Sequence, residues 1–346
     1  MRILTFAFLL FLPIAVIGQQ EITSIEEINL DKIENHTINK YWLKMIEDGM
    51  SHPIYIPVII VKGKTKSPVL GLTAAIHGNE LNGIKVIHEV VENIDVSNLK
   101  GTVIAIPGLN QISLTQHKRR YVDEEDLNRN FPGKEKGNRS QQYVWQINQK
   151  IISQLEYLVD MHTASFGREN SLYVRADLNI PKIEKMAMLQ DADIILNNKG
   201  IPSVNEQVAA TRTMRAEAML KGIPTITIEY GNPQVFQQEM ISRGKRGVEN
   251  IMSWLGMTEI DLHPIPEPIL CYKSYWIYME EGGYLELTVD LNQKINKGDI
   301  IGIVRSPFGN ILKTYYSPED GVVIGRSSNP VNMSGGRIIH LGIIQE

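Results

Sequence analysis

Apolar and polar positions follow two different periods along the chain, and the switches between them mark the elements. Tyr55–Val61 and Val69–Ile76 are short apolar runs that read as buried strands, separated by the turn-like segment Lys62–Pro68. Leu81–Val96 places Ile84, Ile87, Val90, Val91 and Ile94 at helical spacing. Val103–Ile106 reads as a strand, Ser140–Ser153 as a helix, Leu155–Met161 as a strand and Leu172–Val174 as a further short strand. Arg212–Lys221 reads as a helix stopped by Gly222 and Pro224. Thr225–Glu229 is a β-branched strand, and Gln234–Leu255 is a long helix with a break expected near Gly244. Gln19–Asn39 reads as a polar lead-in. Strands alternating with helices predict an α/β layered sheet with helices on its faces.

The texture changes near residue 263. His263-Pro264-Ile265-Pro266-Glu267-Pro268 is a stiff proline linker. Beyond it lie short strand-like runs: Cys271–Met279, Tyr284–Leu291, Ile300–Arg305, Ile311–Tyr316, Gly321–Arg326 and Arg337–Ile344. Glycine-bearing turns such as Glu281-Gly282-Gly283 and Asn296-Lys297-Gly298-Asp299 punctuate them. The division expected is therefore an α/β domain over 19–262 and a small C-terminal all-β domain over 263–346.

Residues 1–18 stand apart. Met1-Arg2 precedes an apolar run from Ile3 to Ile17, and small Gly18 then meets Gln19-Gln20. This is the pattern of a signal peptide, which predicts export to the periplasm or medium with cleavage near Gly18. A membrane anchor is the competing reading, but the run falls short of the roughly 20 residues of a span and Pro13 interrupts it. No Cys sits at the boundary, so no lipid anchor is expected.

Composition then narrows the chemistry. The 346 residues are 43% apolar and 21% charged, which places the chain among globular rather than disordered proteins. Lys+Arg number 35 against 39 Asp+Glu, a net charge of −4, so a nucleic-acid partner is not expected. The single cysteine, Cys271, excludes a disulfide framework and a Cys-based metal cluster. Any metal site must draw on carboxylates and eight histidines.

Sites in open α/β sheets gather at the carboxyl ends of strands. Three expected strands end in Ala75-Ile76-His77-Gly78-Asn79-Glu80, in Val159-Asp160-Met161-His162-Thr163 and in Thr227-Ile228-Glu229-Tyr230-Gly231. His77 and Glu80, spaced i, i+3, share one face of a helical turn, and Gly78 permits the bend out of the strand. His162 adds a third donor, and His, Glu, His with an open position is a catalytic zinc set. Other divalent ions suit the same donors, and a packed core histidine is the alternative for His162. Glu229 is costly at the end of a buried strand unless wet, paired or working. It suits a general base toward metal-bound water, with an ion pair to a nearby Lys or Arg as the alternative.

Asp160, two residues before His162, faces the same way and suits a supporting partner. The loop from His117 to Gly133 is dense in polar donors; Arg129 and Asn128 make it a carboxylate clamp, against the alternative of a solvated charge run. His36, His52, His88, His117, His263 and His340 have no partner at ligand spacing and read as surface or packed residues.

Taken in order, His77-Gly78-Asn79-Glu80, Asp126-Leu127-Asn128-Arg129-Asn130-Phe131-Pro132-Gly133, Asp160-Met161-His162-Thr163 and Ile228-Glu229-Tyr230-Gly231 resemble the succinylglutamate desuccinylase/aspartoacylase family, a branch of the zinc carboxypeptidase A-type fold. The resemblance covers roughly residues 50 to 260. It implies a mixed central sheet flanked by helices, one zinc held by His77, Glu80 and His162, and Glu229 as general base. It implies Asn128 and Arg129 on a substrate carboxylate. Upstream, Arg120 would polarise the scissile carbonyl, or in its place Arg119, which otherwise joins the substrate-binding set. The β module is similar to the C-terminal domain of these deacylases, which shapes the mouth of the site.

The expected activity is a zinc-dependent amidohydrolase that releases an amine from a small carboxylate-bearing substrate of the N-acyl amino acid type. The best-studied members are cytoplasmic, whereas the leader points to an exported peptide or cell-wall fragment. A metallo-carboxypeptidase using the same residues is therefore the nearest alternative. A non-catalytic metal-containing binding protein is the other, and Glu229 argues against it, because a structural site needs no base.

Overall fold

The computed structural model describes residues 22–200 and 212–345, so the leader over 1–18 lies outside the described residues. The chain enters through β1 (Thr23–Ile25), β2 (Thr37–Glu47), β3 (Pro53–Lys62), β4 (Val69–Ala74), α1 (Asn82–Asn93) and β5 (Thr102–Ile106). It continues through α2 (Gln111–Thr115), α3 (Arg139–Lys150), β6 (Tyr157–His162), β7 (Arg168–Asn170), β8 (Leu172–Ala176), α4 (Pro181–Met188) and β9 (Ile194–Asn197). Then come α5 (Met214–Leu220), β10 (Thr225–Tyr230) and α6 (Gln238–Trp254). The remainder is β11 (Ile269–Tyr278), β12 (Gly283–Leu287), β13 (Lys294–Ile295), β14 (Ile300–Arg305), β15 (Ile311–Tyr316), β16 (Gly321–Ser327), β17 (Val331–Asn332) and β18 (Arg337–Ile344).

One mixed sheet dominates, in the order β1-β2-β3-β5-β4-β6-β10-β8-β9-β11-β18-β16-β13. Its middle, β5-β4-β6-β10, is parallel, and β8 then runs antiparallel to β10. Strand side chains alternate between two cores, as a pleated strand requires. On β5, Val103 and Ala105 join a core with Val86, Val90, Ile183, Ile251 and Met252, from α1, α4 and α6. Ile104 and Ile106 join the opposite core with Tyr143, Val144, Ile147, Met214 and Ala218, from α3 and α5. Burial on both faces explains why these strands read as unbroken apolar runs.

The long helix is continuous over Gln238–Trp254 and does not break at Gly244. Gly244 serves packing instead: a Cβ there would lie 2.7 Å from Val86 Cγ2 and 2.8 Å from Tyr230 Cε1, so glycine lets α6 settle against α1 and β10. No helix among the described residues is long and apolar enough to cross a membrane.

Past the proline linker the chain is all β. It does not form a separate sheet throughout, because β11 pairs in parallel with β9 through Ile269↔Ile194, Leu270↔Ile195 and Cys271↔Leu196. The strands β11, β18, β16 and β13 thus extend the central sheet. A second, four-stranded sheet in the order β15-β14-β12-β17 packs on them. Leu285, Ile301 and Val304 meet Val323, Ile339 and Leu341 in that interface. Buried Cys271 lies at the joint between the two parts, with Tyr173, Ile194 and Ile324.

Candidate active site

The strand order places β4, β6, β10 and β8 side by side, with their chemistry-bearing ends on one edge. In register, His162 stands opposite Glu229, and Glu229 opposite Tyr173. After β4 the chain turns sharply, with Ala75 at φ 57°. The Glu80 N–H donates to the His77 carbonyl at 3.2 Å, which closes the turn before α1. Gly78 allows this turn to lie against α2, since a Cβ would fall 2.0 Å from the Ser113 carbonyl carbon.

One ligand atom from each of His77, Glu80 and His162 lies within 4.8 Å of the others, and all three residues are buried. Glu80 Oε2 is 2.9 Å from His77 Nδ1 and 2.8 Å from His162 Nδ1. The remote nitrogens are held by carboxylates: His77 Nε2 meets Asp126 Oδ1 at 2.9 Å, and His162 Nε2 meets Asp160 Oδ2 at 2.9 Å. A carboxylate at Nε2 fixes the ring proton there and leaves the Nδ1 lone pair facing inward. Two such lone pairs against a carboxylate oxygen repel unless a cation sits among them. His77 Nδ1 is indeed a buried atom without a hydrogen-bond partner, despite its closeness to Glu80. The donor set therefore fits a divalent ion of the zinc type.

Electrostatics agree. Burial works against the charge of Glu80, yet His77 and His162 outweigh it and hold its carboxyl well below the usual range. Burial likewise opposes a charged His162, and Asp160 and Glu80 reverse this, raising it well above its ordinary value. The cluster demands positive charge, as a proton or as a metal.

Asp126 gained no role of its own from the sequence, although it opens the second motif. It binds His77, accepts from the Asn128 N–H at 2.9 Å, and accepts from Arg119 Nη2 at 2.9 Å. Arg119 Nη1 also donates to Glu80 Oε1 at 2.6 Å, so one guanidinium ties the metal-side carboxylate to the loop. Arg120 is not brought to the site: it is exposed, and its Nη1 donates to the Glu124 carbonyl at 2.6 Å. Asn128 is buried, its Oδ1 accepts from Met214 N at 2.7 Å, and its Nδ2 lies 3.5 Å from His162 Nε2. Arg129 lines the same cavity, anchored through Nη1 to the Asn128 carbonyl at 2.7 Å. Glu229 Oε2 accepts from Asn170 Nδ2 at 3.3 Å, and Glu229 Oε1 lies 3.7 Å from Arg175 Nε.

A cavity of about 280 Å³ joins these groups. Its lining includes Arg168, Arg175, Arg215, Tyr173, Trp276 and His340, none of them picked out by the sequence. Burial and the neighbouring Arg175 push Arg215 down to about 10, as expected of cations crowded without enough counter-charge. His340 is packed, with Nε2 2.9 Å from Ser274 Oγ, but it also faces the cavity. Charge neutralisation of the supporting carboxylates gives a first expectation. Asp126→Asn and Asp160→Asn should each weaken metal affinity by about 10–100-fold, read by competition with a chelating dye. Unchanged affinity in both would mean that the histidines are oriented by something else.

The model of the succinylglutamate desuccinylase/aspartoacylase catalytic domain matches residues 66–255, from just before β4 to the end of α6. The N-alpha-acetyl-L-2,4-diaminobutyric acid deacetylase of Halomonas elongata is 25% identical over 290 residues, covering 79% of this chain and 81% of that protein. The product-bound ectoine utilization protein EutE (DoeB) of Ruegeria pomeroyi superposes with a TM-score of 0.78 at 20% identity, over 88% of this chain and 95% of that one. A succinylglutamate desuccinylase/aspartoacylase of Rhodobacter sphaeroides gives a TM-score of 0.78 at 19% identity, over 92% and 98%. The two solved structures cover 88% and 92% of this chain, more than the α/β part alone, so the mixed sheet with its appended β unit is the architecture the motifs implied. The chain belongs to the succinylglutamate desuccinylase/aspartoacylase family.

Proposed function

We propose that this protein is an exported, zinc-dependent deacylase that hydrolyses the amide bond of a small N-acyl amino acid. The observation that carries the reading is the convergence of His77 Nδ1, Glu80 Oε2 and His162 Nδ1 beside a strand-end carboxylate, Glu229, in one cavity. When bound, the dication supplies Lewis acidity at the scissile carbonyl and makes a water acidic enough to react near neutral pH. Glu229 takes the proton of the attacking water and delivers it to the departing nitrogen. Asn170 donates to one Glu229 oxygen and the Arg175 guanidinium lies 3.7 Å from the other, which favours the charged form of the base. Asn128 and Arg129 grip the substrate carboxylate and set the amide in line with Glu229. Of the two neighbouring arginines, we assign the polarising role to Arg119, because it lines the cavity and Arg120 does not; it also fixes Glu80.

The cavity favours a small, anionic substrate. Five guanidiniums line it (Arg119, Arg129, Arg168, Arg175 and Arg215) against the carboxylates of Glu80 and Glu229. Arg119 is paired with Glu80 and Asp126, but buried Arg215 and half-buried Arg168 and Arg175 still leave an excess of positive charge in partly desolvated surroundings, and a substrate with more than one carboxylate relieves it. The relative from Halomonas takes, by its name, an N-acetylated diamino acid; the arginines point this chain toward more acidic partners. A cavity of about 280 Å³ suits a molecule of this size better than a peptide.

The test is amine release from N-acetyl and N-succinyl amino acids beside short peptides, together with metal analysis of the purified protein. We expect turnover of the N-acyl acids, with Arg129→Met raising KM about tenfold or more at nearly constant kcat. Faster cleavage of peptides would support the carboxypeptidase reading, and bound zinc with no hydrolysis would support the binding protein. N-terminal sequencing of protein recovered from the periplasm, starting near Gln19, tests the export.

A further inference from the structure

We propose that Trp276 and His340, both from the C-terminal strands, form the end wall of the cavity and set how long an acyl group the enzyme accepts. The inference rests on the deacylase reading above and assigns it a specificity determinant outside the matched catalytic region, which ends at residue 255.

The cavity has two ends, ordered by the sheet. His162, Glu229 and Tyr173 lie in register on neighbouring strands. The Asn128 amide stands on the His162 side, 3.5 Å from that ring. On the other side, the His340 ring meets Tyr173 edge to face, with centroids 6.2 Å apart and an interplanar angle of 73°. A substrate clamped by its carboxylate at Asn128 and Arg129, with its amide between His162 and Glu229, directs its acyl group toward Tyr173 and whatever lies behind it.

What lies behind is rigid. Trp276 and His340 are paired residues of β11 and β18. Their rings stack at 5.2 Å and 11°. The Arg337 guanidinium lies over the Trp276 ring, 5.4 Å from its centroid. The Ser274 hydroxyl, 2.9 Å from His340 Nε2, fixes the imidazole. Aromatic rings held in this way cannot swing aside for a longer ligand without breaking the stack. Both strands belong to the central sheet, so the wall moves only if the sheet does. Against a rigid aromatic stop, each methylene that does not fit is expected to cost about 10–200-fold.

The experiment is a ladder of acetyl, succinyl, glutaryl and adipoyl groups on one amino acid. Wild-type kcat/KM should fall at least tenfold at the first methylene beyond the limit. Trp276→Ala should move that fall-off one or more steps toward adipoyl, mainly through KM. His340→Ala should shift it in the same direction but less, and Trp276→Phe should restore the original cut-off. Calorimetric binding of the same ladder to a Glu229→Gln protein reads the wall without turnover. Should no amide be hydrolysed, the deacylase reading fails, while the binding ladder still decides the wall. An unchanged ladder in a folded Trp276→Ala protein overturns the proposal. So does a change confined to the amino-acid side chain, which would put the wall on the amine side.

Discussion

Glu229→Gln is expected to keep a full complement of metal and lose about 10²–10⁴-fold in kcat. The size of the loss follows from what the residue is asked to do. A carboxylate that accepts and then donates a proton in one turnover has no substitute in an amide, which does neither at neutral pH. The structure makes glutamine a clean replacement. Glu229 lies on β10 and is not among the three residues whose donor atoms converge. Its oxygens face Asn170 Nδ2 at 3.3 Å and Arg175 Nε at 3.7 Å, contacts loose enough to admit an amide of the same shape. Metal content by atomic emission, beside kcat on the best N-acyl substrate, checks both halves. A variant turning over at near wild-type rate would remove Glu229 as the base.

His77→Ala, Glu80→Ala and His162→Ala should each abolish stoichiometric metal and reduce activity to background. Losing one of three ligands removes a bond to the ion, and in the two histidine variants it also leaves Glu80 facing Asp126 or Asp160 without a ring between them. In His162→Ala, Asp160 and Glu80 lose the ring that stands between them, with contacts of 2.9 and 2.8 Å. Removing one partner of a buried charged pair costs about 3–5 kcal/mol, so this variant should also melt earlier. Chelation supplies the control. An ion at a hundred times its Kd stabilises by about 2.7 kcal/mol, so stripping it from wild type should lower Tm. The same chelator should leave the Tm of the three variants unmoved. Metal content unaltered by the three substitutions would refute the site.

The strand ends were legible because each candidate site residue sits at or just past the point where an apolar run stops, and burial on both faces makes those runs unmistakable. His77, Glu80, His162 and Glu229 could be read for that reason. The edge of the sheet was not. On β2 the inward positions begin with Thr37 and Asn39, while Ile38 and Trp42 face outward and are exposed, so the expected alternation is inverted and Gln19–Asn39 passes for a polar lead-in. The α4–β9 segment, Pro181–Asn197, went unread because its elements are short: the helix buries only Ile183, Met186 and Ala187, and the strand is Ile194–Asn197. Within the loop, Arg119 and Arg120 are adjacent, and no pattern in the residues tells which guanidinium turns inward. Hydrogen bonds decide it, since Glu80 and Asp126 hold Arg119 while Glu124 holds Arg120. Arg168, Arg175, Trp276 and His340 were beyond reach for another reason. They come from strands whose neighbours in space are distant in sequence, such as β16 beside β7 and β18 beside β11.

Hydrogen bonding between β9 and β11 has a consequence for how this protein can be altered. A tethered module can be exchanged by cutting at its linker. Here a cut at the prolines would strip the partner from one side of Ile194–Leu196 and leave that strand's amides and carbonyls as an open, apolar border inviting chance pairing with other chains. Grafts of the last eighty or so residues are therefore poor tools for changing selectivity, whereas single side-chain replacements on an intact scaffold leave the border sealed.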